Sequence, residues 1–133
     1  MSEPHFFPVQ VYYEDTDHSG LVYHANYLKF FERAREHCLG VDELVRMGRE
    51  EGLGFVVYQL RVTYQEGAQF ADRLVVRTTG HCRNEYRLRL KQDILREGNT
   101  KVMVAGELDL VCIDRAKQLT PLPETTQRRF RTE

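Results

Sequence analysis

Only one long stretch of this 133-residue chain repeats its apolar residues with a helical period. Tyr27, Phe30, Phe31, Ala34 and Cys38 follow an i, i+3, i+4, i+7, i+11 spacing, while Lys29, Glu32, Arg33, Arg35 and Glu36 occupy the other faces. A helix from about Asn26 to Leu39 therefore buries one aromatic side. Gly40 is placed to stop it, and Asp42 to cap a second, shorter helix carrying Leu44, Val45 and Met47 that ends by Gly52 and Gly54. Nearly everything else has a period of two. Phe7, Val9, Val11 and Tyr13 alternate, as do Val56, Tyr58, Leu60, Val62 and Tyr64, a shorter run from Leu74 to Thr79, and Tyr86, Leu88 and Leu90. Beyond the turn signal Glu97-Gly98-Asn99, a final strand holds Val102, Val104, Leu108, Leu110 and Cys112; Gly106 marks a bulge or a close approach within it, and Pro121 and Pro123 end it. Strands that succeed one another without intervening helices pair antiparallel and present one apolar face. The long helix is the one element able to cover that face. The pattern predicts an α+β fold, an antiparallel sheet wrapped around a single central helix.

Length and composition fit one domain spanning 1–133. With 19 basic against 20 acidic residues and 41% hydrophobic content, nothing biases the chain toward nucleic acid. No apolar run approaches the roughly 20 residues of a membrane span, and Met1-Ser2-Glu3 does not open a signal peptide, so a cytoplasmic location is expected. Cys38, Cys82 and Cys112 are isolated thiols, an odd number that suits a reducing compartment and buried, unreactive roles. From about 121 the chain reads as a short basic tail, with Arg128-Arg129-Phe130-Arg131 solubilising it; a transient contact with an acidic lipid or protein is the alternative.

The chemistry concentrates in fifteen residues, Tyr13 to Tyr27. Asp15 and Asp17 leave the end of the first strand, Gly20 turns the chain, and the helix starting near His24 offers unpaired backbone N–H groups to the same space. Such N–H groups, with the helix dipole, favour a polarised carbonyl oxygen. A carboxylate beside them can attack an acyl carbonyl or direct water at it. Asp15, Asp17, His18 and His24 would also suit a divalent ion, but no helix-borne His pair and no Cys pair supports a metal site. Turn formation alone is the plain alternative for the two aspartates.

The run Tyr12-Tyr13-Glu14-Asp15-Thr16-Asp17, then Gly20-Leu21-Val22-Tyr23-His24, Asn26-Tyr27 and Phe31-Glu32-Arg33-Ala34-Arg35, resembles the signature of the 4-hydroxybenzoyl-CoA thioesterase family, closest to its Tol-Pal-associated acyl-CoA thioesterase branch. The similarity covers roughly residues 7 to 115, a long and mixed pattern that chance seldom matches. It implies a hotdog fold, in which a five-stranded antiparallel sheet wraps one helix. It implies catalysis by Asp17 on the thioester or on water, polarisation of the thioester carbonyl by the backbone N–H at His24, and a loop-shaping role for Asp15. Substrate contacts are implied for Tyr13, Asp15, Gly20, Tyr23 and Tyr27, and Arg83 is the first candidate for the phosphates of coenzyme A. The aromatic residues around the turn differ from those of the 4-hydroxybenzoyl-specific members, which implies a broader acyl-CoA preference. No cofactor is implied. The resemblance also implies a homodimer or homotetramer, a dimer of dimers with sites at subunit boundaries. Two further readings share this fold: hydrolysis of acyl groups on an acyl carrier protein, and a non-catalytic acyl-binding or scaffold role in envelope maintenance, which has no need of a carboxylate at the helix mouth.

Overall fold

The computed structural model describes residues 3–131. Strand β1 (His5–Gln10) leads through two single turns of tight helix, Tyr13–Asp15 and His24–Asn26, into helix α1 (Tyr27–Leu39) and helix α2 (Val41–Arg46), which continues as a wide turn over Met47–Glu51. Strands β2 (Gly54–Tyr64), β3 (Arg73–Cys82), β4 (Leu88–Arg96), β5 (Val102–Ile113) and the two-residue β6 (Leu119–Thr120) follow, and helix α3 (Glu124–Arg129) is the last element among the described residues.

All strand pairs are antiparallel, in the order β1-β3-β4-β5-β2, with β6 on β5. Strands β3, β4 and β5 form a meander, but β2 pairs with β5 instead of its sequence neighbour β3, with Leu60 opposite Leu108 and Val62 opposite Gly106. That crossover leaves β2 as one border of the sheet, a position that bears on the site. Helix α1 lies on the concave face, burying Tyr27, Phe30, Phe31, Ala34 and Cys38, the stripe that its spacing predicts. This is the hotdog arrangement.

Gly106 is a close approach and not a bulge. Pairing runs through it without a break, and a Cβ there would lie 2.9 Å from the Phe31 ring and 2.9 Å from the Gln92 carbonyl oxygen. The register shifts fall elsewhere, between Val57 and Gln59 and between Ile94 and Leu95. The helix–sheet seam also holds a polar link: buried Arg35 donates to Gln92 Oε1 at 3.0 Å, and the Gln92 amide donates to the Phe31 carbonyl and to Thr78 Oγ1. Each polar group in that link is thus satisfied.

Three expectations need correction. The first strand ends at Gln10, not Tyr13, because Val11 exchanges backbone bonds with residues 71 and 72 and the Asp15 carboxylate then takes the Tyr12 N–H, curling the chain. Asp42 does not cap α2; it sits inside the first turn, after Gly40, whose φ of 98° ends α1. The residues from 121 are not an open basic tail. They build α3, and Phe130 is fully buried against Gly80 and Leu90, with its carbonyl accepting the Cys82 N–H. Cys38 and Cys112 are buried and Cys82 half-buried, and burial pushes each thiol's pKa up. No helix among the described residues is long and apolar enough to cross a membrane.

Candidate active site

Asp15 is the clamp of the loop that follows β1. Its buried carboxylate accepts the Tyr12 N–H through Oδ2 at 2.8 Å and the Asn26 amide through Oδ1 at 3.0 Å, and its carbonyl accepts the Tyr23 N–H at 2.9 Å. One residue thereby ties the exit of the strand to the turn that starts the helix. Between these ends the chain makes a small closed loop: Thr16 bridges Val22, the Asp17 N–H donates to the Leu21 carbonyl, and the Gly20 N–H donates to the Asp17 carbonyl. Gly20 has a φ of 87°, a conformation glycine adopts without the strain a Cβ brings.

Asp17 stands exposed at the tip of this loop. Its Oδ1 accepts both the hydroxyl and the backbone N–H of Ser19, the local pattern of an Asx turn. The Ser19 hydroxyl bond first, and its N–H bond second, hold the Asp17 carboxyl below the usual carboxylate range, and the imidazoles of His24 and His18 add to the same effect. The group is an anion at neutral pH, and its Oδ2 accepts from no described residue.

His24 opens the tight turn that runs directly into α1. As the first residues of a helical start, His24 and Ala25 have no acceptor one turn earlier for their N–H groups. The His24 ring is exposed, 4.5 Å from the Tyr23 ring, and its carbonyl accepts the Tyr64 hydroxyl at 2.9 Å. Beside it lies an open groove of about 240 Å³ lined by Leu21, Val22, His24, Tyr27, Tyr64 and residues 65–67. Asp17 sits outside this groove, on the loop that forms its rim.

The other residues singled out in the sequence divide sharply. Tyr27 walls the groove with its ring, but its hydroxyl is turned inward to accept the Ala68 N–H at 3.0 Å, and burial pushes its phenol pKa up. Tyr13 is 77% exposed with its ring edge against Phe70, and Tyr23 is also exposed. Arg83 is not brought to Asp17 within the chain. The Asp17 loop contacts residues 68 and 69, just ahead of β3, whereas Arg83 follows β3; ten strand residues separate the two ends by about 30 Å. There Arg83 pairs with the buried Asp109 at 3.2 Å, alongside Arg89 and Arg87. Among the described residues no group of three or more His, Cys, Asp or Glu side chains is arranged to hold a metal ion. Tyr64 and the segment 65–67 are the site's unanticipated members; in the sequence Tyr64 is one more alternating strand residue.

A second cavity, of about 320 Å³, opens between α1, α2 and the start of β2. Leu39, Leu44, Met47 and Phe55 line it together with the polar side chains of Glu32, Arg35 and Glu36.

An anionic carboxylate, adjacent N–H donors and an apolar groove make a site suited to acyl transfer. The comparisons with known proteins agree. The profile of the thioesterase-like superfamily matches residues 11–130. The acyl-CoA thioesterase YbgC of Haemophilus influenzae is 38% identical over 113 residues, covering 84% of this chain and 82% of its own. The acyl-CoA thioester hydrolase YbgC of Escherichia coli is 37% identical over 112 residues, covering 84% and 83%. A probable thioesterase of Bartonella henselae superposes with a TM-score of 0.83 at 31% identity, over 90% of this chain and 99% of its own. By sequence across nearly its whole length and by fold, this chain belongs to the thioesterase-like superfamily.

Proposed function

We propose that this protein is an acyl-CoA thioesterase, hydrolysing the thioester to a carboxylate and free coenzyme A. The observation that carries the reading is Asp17, held ionised at a loop tip beside the start of the central helix with an apolar groove alongside. Asp17 serves as general base or nucleophile, and the N–H groups at His24 and Ala25 receive the oxygen that becomes negative as the carbonyl is attacked. Asp15 and Gly20 shape the loop, and Tyr13, Tyr23 and Tyr27 supply surface around it. Thiol release from a panel of acyl-CoAs tests this; no release from any chain length refutes it.

The site is shared between subunits of a homodimer, which pairs further into a tetramer. Strand β2 is an eleven-residue border strand with Val56, Val57 and Tyr58 exposed, an edge that invites pairing. A strand that pairs antiparallel with its own copy about a two-fold axis sets its Tyr64 end beside the partner's Gly54 end. That joins the groove of one subunit to the larger cavity of the other, which then takes the acyl chain. Arg83 reaches the coenzyme A phosphates only across such an interface, and an odd number of cysteines far apart in sequence suits a cytoplasmic setting. Mixing Asp17→Asn subunits with Leu44→Trp subunits, each inactive alone on a long acyl-CoA, restores about a quarter of the sites if they are shared. No recovery, or a monomeric mass by light scattering, defeats the shared site.

A further inference from the structure

We infer that Tyr64 is a positioning residue for the N–H donors at the helix start, acting through its hydrogen bond to the His24 carbonyl. The inference rests on the thioesterase reading of the same site. Tyr64 is the last residue of β2, forty positions after His24, and its hydroxyl donates to the His24 oxygen at 2.9 Å. Its ring is tilted against Tyr27 with centroids 5.7 Å apart and meets His24 edge-on at 6.3 Å.

The consequence follows from peptide planarity. The His24 carbonyl and the Ala25 N–H belong to one rigid trans peptide and point in opposite directions, so an anchor on the oxygen fixes the direction of the N–H. The Tyr27 N–H at the end of the tight turn bonds to the Ala25 carbonyl. Tyr64 supplies the His24 carbonyl with a partner from the sheet. It fastens the donor array to the sheet, whereas Asp15 fastens it only to the preceding loop.

Tyr64 is 47% exposed, so in the free protein water competes for this bond. When an acyl group fills the groove and displaces that water, the bond strengthens and the donor array stiffens as negative charge develops on the substrate oxygen. The effect belongs to turnover more than to stability or to substrate affinity.

Tyr64→Phe keeps the ring contacts and removes only the donor. The expected result is a fall in kcat of roughly 3- to 10-fold, the rate equivalent of one lost hydrogen bond. KM should stay within about twofold and the unfolding temperature should hold, the pattern of an interaction made in the transition state. A readout independent of activity is the ¹³C resonance of the His24 carbonyl, which shifts in the free protein when its donor is removed. An unchanged kcat, or an unmoved His24 resonance, overturns the inference. So does a KM rise at constant kcat, which would make Tyr64 a direct substrate contact. If wild-type protein hydrolyses no thioester while the resonance still shifts, the fault lies with the thioesterase reading and not with the bond.

Discussion

Replacing Asp15 separates loop architecture from chemistry. Its two carboxylate oxygens accept the Tyr12 N–H at 2.8 Å and the Asn26 amide at 3.0 Å, and the side chain is buried. Asp15→Ala removes both bonds and strands two donors. At about 1.5–3 kcal/mol for each bond to a charged acceptor, the loss is about 3–6 kcal/mol. For a chain of this length that lowers the unfolding temperature by roughly 10–20 °C. Asp15→Asn behaves differently. Its amide oxygen can still accept from Tyr12, and the Asn26 side chain can turn to present its own oxygen to the new NH₂ group, so only the charge is lost, about 1 kcal/mol. Calorimetry and thiol-release kinetics on both variants check this: Asp15→Asn should unfold a few degrees early and keep most of its turnover, while Asp15→Ala should lose stability heavily. An Asp15→Asn protein of normal stability whose turnover falls by about 10² or more, as expected for loss of a general base, would refute the division of roles between the two aspartates.

Gly106→Ala drives a methyl group to within 2.9 Å of both Phe31 and the Gln92 carbonyl, so it should destabilise by about 1–3 kcal/mol in thermal unfolding while turnover at low temperature survives. Asp109→Asn leaves Arg83, Arg87 and Arg89 facing one another without their carboxylate, and should cost about 2 kcal/mol at pH 7. The Arg89 hydrogen bond chiefly lowers the Asp109 pKa, so its contribution is complete above the unfolded value near 4 and is lost as pH falls through the folded one; the two proteins' unfolding temperatures should converge in acid.

The central helix was legible because Tyr27, Phe30, Phe31, Ala34 and Cys38 repeat with a period no strand shares, and burial follows that period. The fifteen-residue site segment was legible for a local reason too: Asp17, Ser19 and Gly20 make their turn with one another. What stayed hidden depends on partners distant in sequence. Pairing of β2 with β5 leaves no mark in either strand's alternation. Just past α3, Phe130 anchors a basic segment, and nothing nearby reveals that Gly80 and Leu90 have left room for its ring. Tyr64 looks like any outward residue of an alternating strand, since its partner is a carbonyl forty residues away. The ion pair of Arg83 was hidden for the same reason, because its carboxylate, Asp109, lies two strands farther along the chain.

The most direct test of the account is the turnover of Asp17→Asn on a hydrolysed acyl-CoA, at a pH where the wild-type carboxylate is fully ionised. Asparagine keeps the size of the side chain and an oxygen for the two Ser19 bonds, so the protein should fold and unfold like wild type. It can neither accept the proton of water nor form an acyl anhydride, and kcat should fall by about 10² to 10⁴. A well-folded Asp17→Asn protein retaining more than about a tenth of wild-type turnover, a loss below about 1.4 kcal/mol of transition-state stabilisation, would contradict the assignment.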